Sequence, residues 1–273
     1  MKEVKERITK ARLTKDFRRL ALNEVPLLAV HSSLSSLGQV EGGATVVAEA
    51  LLAALGPAGT LMVPTFTYSF SSIGQWPAFD YATTPSIVGA VTEAVRRHPQ
   101  AIRSFHPTHS VAAIGPRAID LAKGHLAGSP LGVGSPFHRL ADWGGSVLLV
   151  GCDHRSNSLL HVAEVLAGLP YIDVSFSESQ RYETARILRG EKVMVDLKIY
   201  EAPGCSRGFH KAEPVLRRAG AIRDERVGQA AVQMFSGKQM LEIMSEALRR
   251  QPDLLLCDVE GCSICPRRRQ AVM

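Results

Sequence analysis

His161 and Glu164 stand three residues apart in the segment Ser158-Leu159-Leu160-His161-Val162-Ala163-Glu164. On a helix, positions i and i+3 share a face, so the imidazole and the carboxylate can meet. A carboxylate behind an imidazole orients the ring and stabilises it once it has accepted a proton, which is what a general base requires. A structural His–Glu pair has the same spacing, and spacing alone leaves both readings open. The setting favours chemistry: the apolar run Val147-Leu148-Leu149-Val150 reads as a buried strand, and the loop after it holds Asp153, His154 and Arg155.

A second group follows another apolar run. Val25 to Val30 empties into His31-Ser32-Ser33-Leu34-Ser35-Ser36-Leu37-Gly38 and then Gly42-Gly43. A loop of small residues at a strand's carboxyl end leaves backbone N–H groups for an anion or a polar chain such as a phosphate or a pantetheine amide. Its plain alternative is a hydroxyl-rich surface loop. A third group, Arg103-Ser104-Phe105-His106-Pro107-Thr108-His109-Ser110, suits either phosphate binding or a polar turn stiffened by Pro107. In Gly132 to Leu140 a Gly/Ser turn leads into a short helix started by Ser135-Pro136, with Phe137 behind it. Gly-x-Ser-x-Gly is absent, which counts against a serine hydrolase of the nucleophile-elbow type.

Four cysteines form a separate question. Cys257-x4-Cys262-x2-Cys265, with Cys205 further upstream, supplies enough thiolates for a tetrahedral zinc site, although the spacing is irregular and separate reduced thiols are the plainer reading. A non-catalytic binding or zinc protein would explain these thiols while leaving the His–Glu pair idle. Cys152 reads as a small buried hydrophobe. Five cysteines in a chain with no export signal do not make a disulfide framework.

The elements that must hold these groups alternate along the chain. Lys2 to Arg19 reads as a charged amphipathic helix, Gly43 to Leu55 as an apolar helix stopped by Gly56-Pro57, and Thr60 to Pro64 as a buried strand. Thr84-Pro85 caps a helix through Ile87, Val88, Val91 and Val95, and Ser110 to Ile114 is a short strand. A helix Ser158 to Gly168 follows the strand Val147 to Val150. Lys192 to Tyr200 alternates as a half-exposed strand, Lys211 to Ala219 forms a helix with Pro214 in its first turn, and Ser236 with Gln239 opens a helix Gly237 to Arg250. Leu254 to Cys257 reads as a closing strand. Such alternation predicts an α/β fold: a three-layer αβα architecture with a mixed, largely parallel sheet, in which ligands gather at the strands' carboxyl ends. The irregular stretch Tyr68 to Tyr81 is long enough for a substrate lid.

Composition sets the outer limits. The chain has 273 residues, 45% hydrophobic, enough for one large core, and residues 1–273 read as a single domain with a cysteine-containing C-terminal segment of about 251–273. The net charge of +6 sits largely at the ends, with Arg267-Arg268-Arg269 as a basic tail. No basic patch interleaved with aromatics lies between, so nucleic acid is not expected as a partner, while an anionic cofactor is accommodated. No apolar run reaches the ~18 residues a bilayer crossing needs, so no membrane partner is expected and the protein is expected to be cytoplasmic. A monomer or homodimer is expected.

The ordered set His31 to Gly38, Gly42-Gly43, Leu55-Gly56-Pro57-Ala58-Gly59-Thr60-Leu61, Pro64-Thr65-Phe66-Thr67, His106 to Ser110, Gly134-Ser135-Pro136 and Leu160 to Glu164 resembles the aminoglycoside 3-N-acetyltransferase family. The resemblance spans roughly Val25 to Pro170, and a weaker one continues toward the C-terminus. It implies an acetyl-coenzyme A dependent N-acetyltransferase in which the histidine matching His161 is the base, assisted by the acid matching Glu164. It also implies that the loop matching His31, Ser32, Ser33, Leu34 and Ser35 holds the cofactor's pantetheine and pyrophosphate, with Ser110 and Phe137 along it.

The chemistry is consistent with that implication. An aliphatic ammonium with a pKa of about 10 must lose its proton before attacking a thioester, so a base is required. Backbone N–H groups of the serine loop or the Thr67 hydroxyl are candidate oxyanion donors, and Arg103 or Arg155 candidate partners for the cofactor's phosphates. A polycationic acceptor calls for carboxylates, and between Tyr68 and Gln180 these are scattered: Asp80, Glu93, Asp120, Asp142, Asp153, Glu164, Asp173, Glu178. The acceptor is therefore read as an aminoglycoside or a similar small-molecule amine.

Overall fold

The computed structural model of the protein describes residues 7–67, 79–172, 174, 182–188, 191–197 and 204–273. Its centre is a seven-stranded mixed sheet built from β1 (Leu27–Ser32), β2 (Thr60–Pro64), β3 (Ile102–Arg103), β4 (Val111–Ile114), β5 (Ser146–Val150), β8 (Arg223–Val227) and β9 (Ala230–Ser236). Across the sheet the order is β3-β4-β2-β1-β5-β9-β8. The middle trio β2-β1-β5 is parallel, as expected for the strands that carry the loops of interest. On both sides antiparallel pairings complete the sheet. A separate hairpin joins β6 (Tyr182–Leu188) to β7 (Glu191–Leu197).

Alternation along the strands sorts the core into two halves. Leu27 and Ala29 of β1, with Val147 and Leu149 of β5, face α4 (Ala118–Ala122), α5 (Pro136–Asp142), α6 (Leu159–Leu166), α7 (Ala212–Arg218) and α8 (Gly237–Arg250). Leu28 and Val30, with Leu148 and Val150, face α1 (Lys10–Arg18), α2 (Gly43–Leu55) and α3 (Ala90–Arg96). The result is the expected three-layer αβα arrangement, and β1 is apolar at every core position because helices cover both of its faces.

Caps fix several ends as read from the sequence. Ser135 Oγ accepts the His138 N–H with Pro136 in the first turn of α5, and Ser236 Oγ accepts the Gln239 N–H at the start of α8. The first helix begins only at Lys10, where Thr9 Oγ1 accepts the Arg12 N–H; residues 1–6 lie outside the described residues, as do 68–78, which include most of the stretch read as a lid. Residues 198–200 of the expected strand Lys192 to Tyr200 are also outside them.

Three expectations are corrected. The helix expected from Thr84-Pro85 starts at Ala90, because Gly89 breaks it at φ +140° and the N–H groups before it are spent elsewhere: Thr84 on the Asp80 carbonyl, Ser86 on Glu93 Oε2, Ile87 on the Phe66 carbonyl. Leu254 to Cys257 is not a strand. Its backbone is held instead by turn bonds and side chains: the Leu254 and Leu256 N–H groups donate to the Gln251 and Asp253 carbonyls, the Leu256 carbonyl accepts from Lys211 Nζ at 2.7 Å, and the Cys257 N–H donates to Cys265 Sγ at 3.3 Å. The basic tail is not a tail: Cys265–Gln270 forms α9, and Arg268 is buried at 1% exposure.

Candidate active site

The parallel strands β1 and β5 end side by side, and the crossovers leaving them run to opposite sides of the sheet, a position where α/β folds bind ligands. Here opens a cavity of about 850 Å³. One wall is His31 and Ser32 at the end of β1, with Pro64 and Phe66 after β2 and Thr108 and His109 before β4. The loop after β5, Arg155 to Ser158, leads into His161. Gly204 to Arg207 and Gly261 to Ile264 complete the lining. Gly151, at φ +61°, turns the chain after β5; a Cβ there would collide with the Ser36 side chain, so the loops after β1 and β5 lie against each other.

His161 occupies the first turn of α6 and is 8% exposed. Its Nδ1–H donates to Glu164 Oε2 at 2.8 Å, so the expected i, i+3 pair is formed. The ring also packs on Phe209, with centroids 4.6 Å apart. With Nδ1 committed to the carboxylate, Nε2 is the nitrogen left to take a proton. Glu164 is 2% exposed, and its other oxygen, Oε1, accepts from Tyr171 OH at 3.2 Å and from Arg268 Nη1 at 3.4 Å. Burial, and then the charge of Glu164, push the Tyr171 phenol well above its ordinary range, so it stays a hydrogen-bond donor.

The other residues singled out from the sequence divide in two. His31 and Ser32 line the cavity, and His31 Nε2 and Ser32 Oγ are buried with no hydrogen-bond partner among the described residues. Burial, reinforced by nearby His154, pushes the His31 imidazole down to about 3, so the ring is neutral. Ser33, Leu34 and Ser35 turn away into a 3-10 helix, Leu34–Leu37: the Ser33 N–H donates to the Val150 carbonyl and Ser33 Oγ lies 3.2 Å from Ser35 Oγ. Phe137 is fully buried beneath the cavity and stacks on His31 at 5.7 Å.

Arg103 and Ser110 lie behind the wall. The guanidinium donates to the carbonyls of Tyr81, Thr84 and Thr65 and to Ser110 Oγ, and sits 4.7 Å over the Phe79 ring. Ser110 Oγ in turn donates to the Thr65 carbonyl at 2.9 Å. The Thr67 hydroxyl is spent on the Pro107 carbonyl. Of the arginines weighed for an anionic cofactor, Arg155 is the one on the cavity, ion-paired with Asp153 at 2.6 Å.

Cys205, Cys257, Cys262 and Cys265 converge, with all four Sγ atoms within 4.8 Å of one another. Cys205 and Cys262 also line the cavity, so this cluster shapes its wall. The Cys205 and Cys257 sulfurs are 3.7 Å apart, close to the roughly 3.8 Å that two thiolates share on a tetrahedral zinc with bonds of about 2.3 Å. Backbone N–H groups of Arg207, Cys257 and Cys265 donate to Cys205, Cys265 and Cys262 sulfurs respectively. Cys152, expected as a buried hydrophobe, is half-buried; burial pushes its thiol up to about 11, outside the range of a reactive thiolate.

Sequence reasoning missed Arg207, Ser206 and Ser263 on the cavity, and Arg268 and Tyr171 behind the base. The neighbouring cysteines were the available signal for the first three. Arg268 carried none, since three consecutive arginines look like solvated charge.

A family profile described as "Aminoglycoside 3-N-acetyltransferase" matches residues 29–249. Aminoglycoside N(3)-acetyltransferase IV from Salmonella sp is 33% identical over 254 residues, covering 92% of each chain. Aminoglycoside N(3)-acetyltransferase III from Serratia marcescens is 39% identical over 173 residues, and there the match covers 58% of this chain and 64% of that one. Among solved structures, a mutant of aminoglycoside acetyltransferase AAC(3)-IVa in complex with a gentamicin superposes with a TM-score of 0.80 at 30% identity, over 99% of this chain and 100% of that one. Sequence, fold and the profile agree from β1 to α8, and the chain belongs to the aminoglycoside 3-N-acetyltransferase family of acyltransferases.

Proposed function

We propose that the protein transfers an acetyl group from acetyl-coenzyme A to an amino group of an aminoglycoside or a similar small amine, with His161 as general base assisted by Glu164. The observation that carries the reading is the 2.8 Å contact of His161 Nδ1 with Glu164 Oε2 on the wall of the large cavity. Family membership supports the reaction class, and the gentamicin complex of a 30% identical enzyme supports an aminoglycoside acceptor and a role in antibiotic resistance. The described lining holds Arg155 and Arg207 and no carboxylate, which suits the anionic cofactor better than the cationic acceptor.

Acetyl-coenzyme A supplies an acetyl group activated as a thioester. The partnerless His31 Nε2 and Ser32 Oγ suit its polar pantetheine chain, and Arg155 and Arg207 suit its phosphates. His161 takes the proton of the incoming amine at Nε2, and Glu164 holds the resulting imidazolium through Nδ1–H. Such a base contributes ~10²–10⁴ in rate. A shared cavity adds the advantage of proximity, holding the amine beside the acyl donor. Since the cavity is formed by one chain, a monomer or homodimer meets the requirement, and the cytoplasm, where acetyl-coenzyme A is made, is the proposed compartment. Among the described residues no helix is long and apolar enough to cross a membrane.

The four thiols suit a structural zinc: they are closely spaced, approach tetrahedral separation and receive backbone N–H bonds. Metal analysis of the purified protein tests this, with one zinc per chain expected and Cys262→Ser expected to lower it; no zinc in either protein would reject the site.

The test of the reaction is thiol release from acetyl-coenzyme A across a panel of amines that includes 2-deoxystreptamine antibiotics. Release that depends on an aminoglycoside is expected. Ester turnover without coenzyme A, blocked by a serine-directed inhibitor, would replace the reading with a hydrolase.

A further inference from the structure

Behind the base lies a charge that the mechanism so far leaves idle. Arg268 is 1% exposed, in α9, three residues after Cys265 and therefore on the same helix face. Its Nη1 donates to Glu164 Oε1 at 3.4 Å, its Nε donates to the Val174 carbonyl at 3.3 Å, and the guanidinium lies 4.8 Å over the Tyr171 ring. Gly204, next to Cys205, covers the guanidinium so closely that a Cβ there would collide with it. The cysteine cluster thus brackets Arg268 from two sides of the chain.

We propose that Arg268 is a positioning residue for acyl transfer, holding the Glu164 carboxylate oriented so that its Oε2 fixes the Nδ1–H form of His161. The inference rests on the His161–Glu164 reading given above. A carboxylate buried as deeply as Glu164, 2% exposed, needs partners for both of its oxygens. Among the described residues its two oxygens meet His161, Tyr171 and Arg268. Arg268 supplies the permanent charge, and Tyr171 the second donor to the same oxygen. Both act on Oε1, which leaves Oε2 to the imidazole. Guanidinium also suits the task by shape, because it reaches Glu164 and the Val174 carbonyl at once, as an ammonium on a flexible stem does not.

The experiment is a kinetic cycle on the purified full chain with acetyl-coenzyme A and an accepted amine. Arg268→Met is expected to lower kcat about 10- to 100-fold with KM for acetyl-coenzyme A within about threefold, the split expected for a loss confined to the transition state. Arg268→Lys is expected to lose about three- to tenfold, a partial rescue. When Glu164 is already Gln, replacing Arg268 is expected to change kcat by less than about threefold, since two residues acting through one group are not additive. Circular dichroism checks the fold of each variant. If Arg268→Met does not fold, the cycle is run with Arg268→Lys, whose loss must vanish in the Glu164→Gln background. A folded Arg268→Met or, failing that, Arg268→Lys with wild-type kcat would overturn the proposal, as would losses that multiply with that of Glu164→Gln. A Glu164→Gln variant with wild-type kcat would instead sink the base-pair reading on which the proposal stands, so the two failures are distinct.

Discussion

Of the histidines that line the cavity, His31 and His161 have surroundings that could hardly differ more. His31, at the end of β1, stacks on Phe137, and burial pushes it down to about 3. His161, in the first turn of α6, has Glu164 behind Nδ1, and Glu164 in turn has Tyr171 and Arg268. A buried ring with no carboxylate remains neutral and serves as a surface; a ring backed by one can carry the positive charge that proton abstraction creates. Location in a cleft does not make a base, and the partner behind the ring does.

The sharpest way to break that comparison is His161→Ala, expected to lower kcat by at least ~10²-fold with little change in cofactor affinity. Steady-state kinetics with wild-type turnover in this variant would end the assignment. Next in size is acid stability. His31 and His125 are held at about 3 and about 4 by burial, below the 6.5 of an unfolded chain. Above pH 6.5 neither state binds these protons; below it the unfolded chain does so first, so stability falls as pH drops from about 6.5 toward 4. At pH 5 the loss is roughly 2 kcal/mol per histidine, read as a lower urea midpoint than at pH 7.5. His106 and His109, also held down by burial, act in the same direction.

Smaller effects separate the binding surface from the base. Ser32→Leu fills the cavity floor and removes a hydroxyl, and is expected to raise KM for acetyl-coenzyme A about tenfold with kcat much less affected. His31→Gln is expected to raise the same KM about two- to fivefold. If instead His31→Gln lowered kcat as far as His161→Ala does, the contrast between the two rings would be lost.

How legible all this is from sequence depends on where the signal resides. Buried strands announce themselves as apolar runs, so β1, β2 and β5 emerge with boundaries within two residues, and with them the loops after β1 and β5. Local spacing likewise carries His161 and Glu164. The edge strand β8 is Arg223-Asp224-Glu225-Arg226-Val227, whose charges protect an open sheet edge and erase the alternation by which a strand is read. Leu254 to Cys257 errs the other way: it is apolar because it packs in the core, not because it pairs. Arg268 is illegible for a different reason, since its partner Glu164 lies 104 residues away and no local pattern encodes the contact.

The close fit of Gly151 against Ser36 has an implication for how such a chain could adapt to other acceptors. Two loops pressed together without room for a methyl group form a stiff floor, and any change in the size of the guest has to be absorbed elsewhere. The wall made by residues 205–207 and 261–264 contributes no strand to the sheet, so substitutions there can reshape the chamber without disturbing strand pairing.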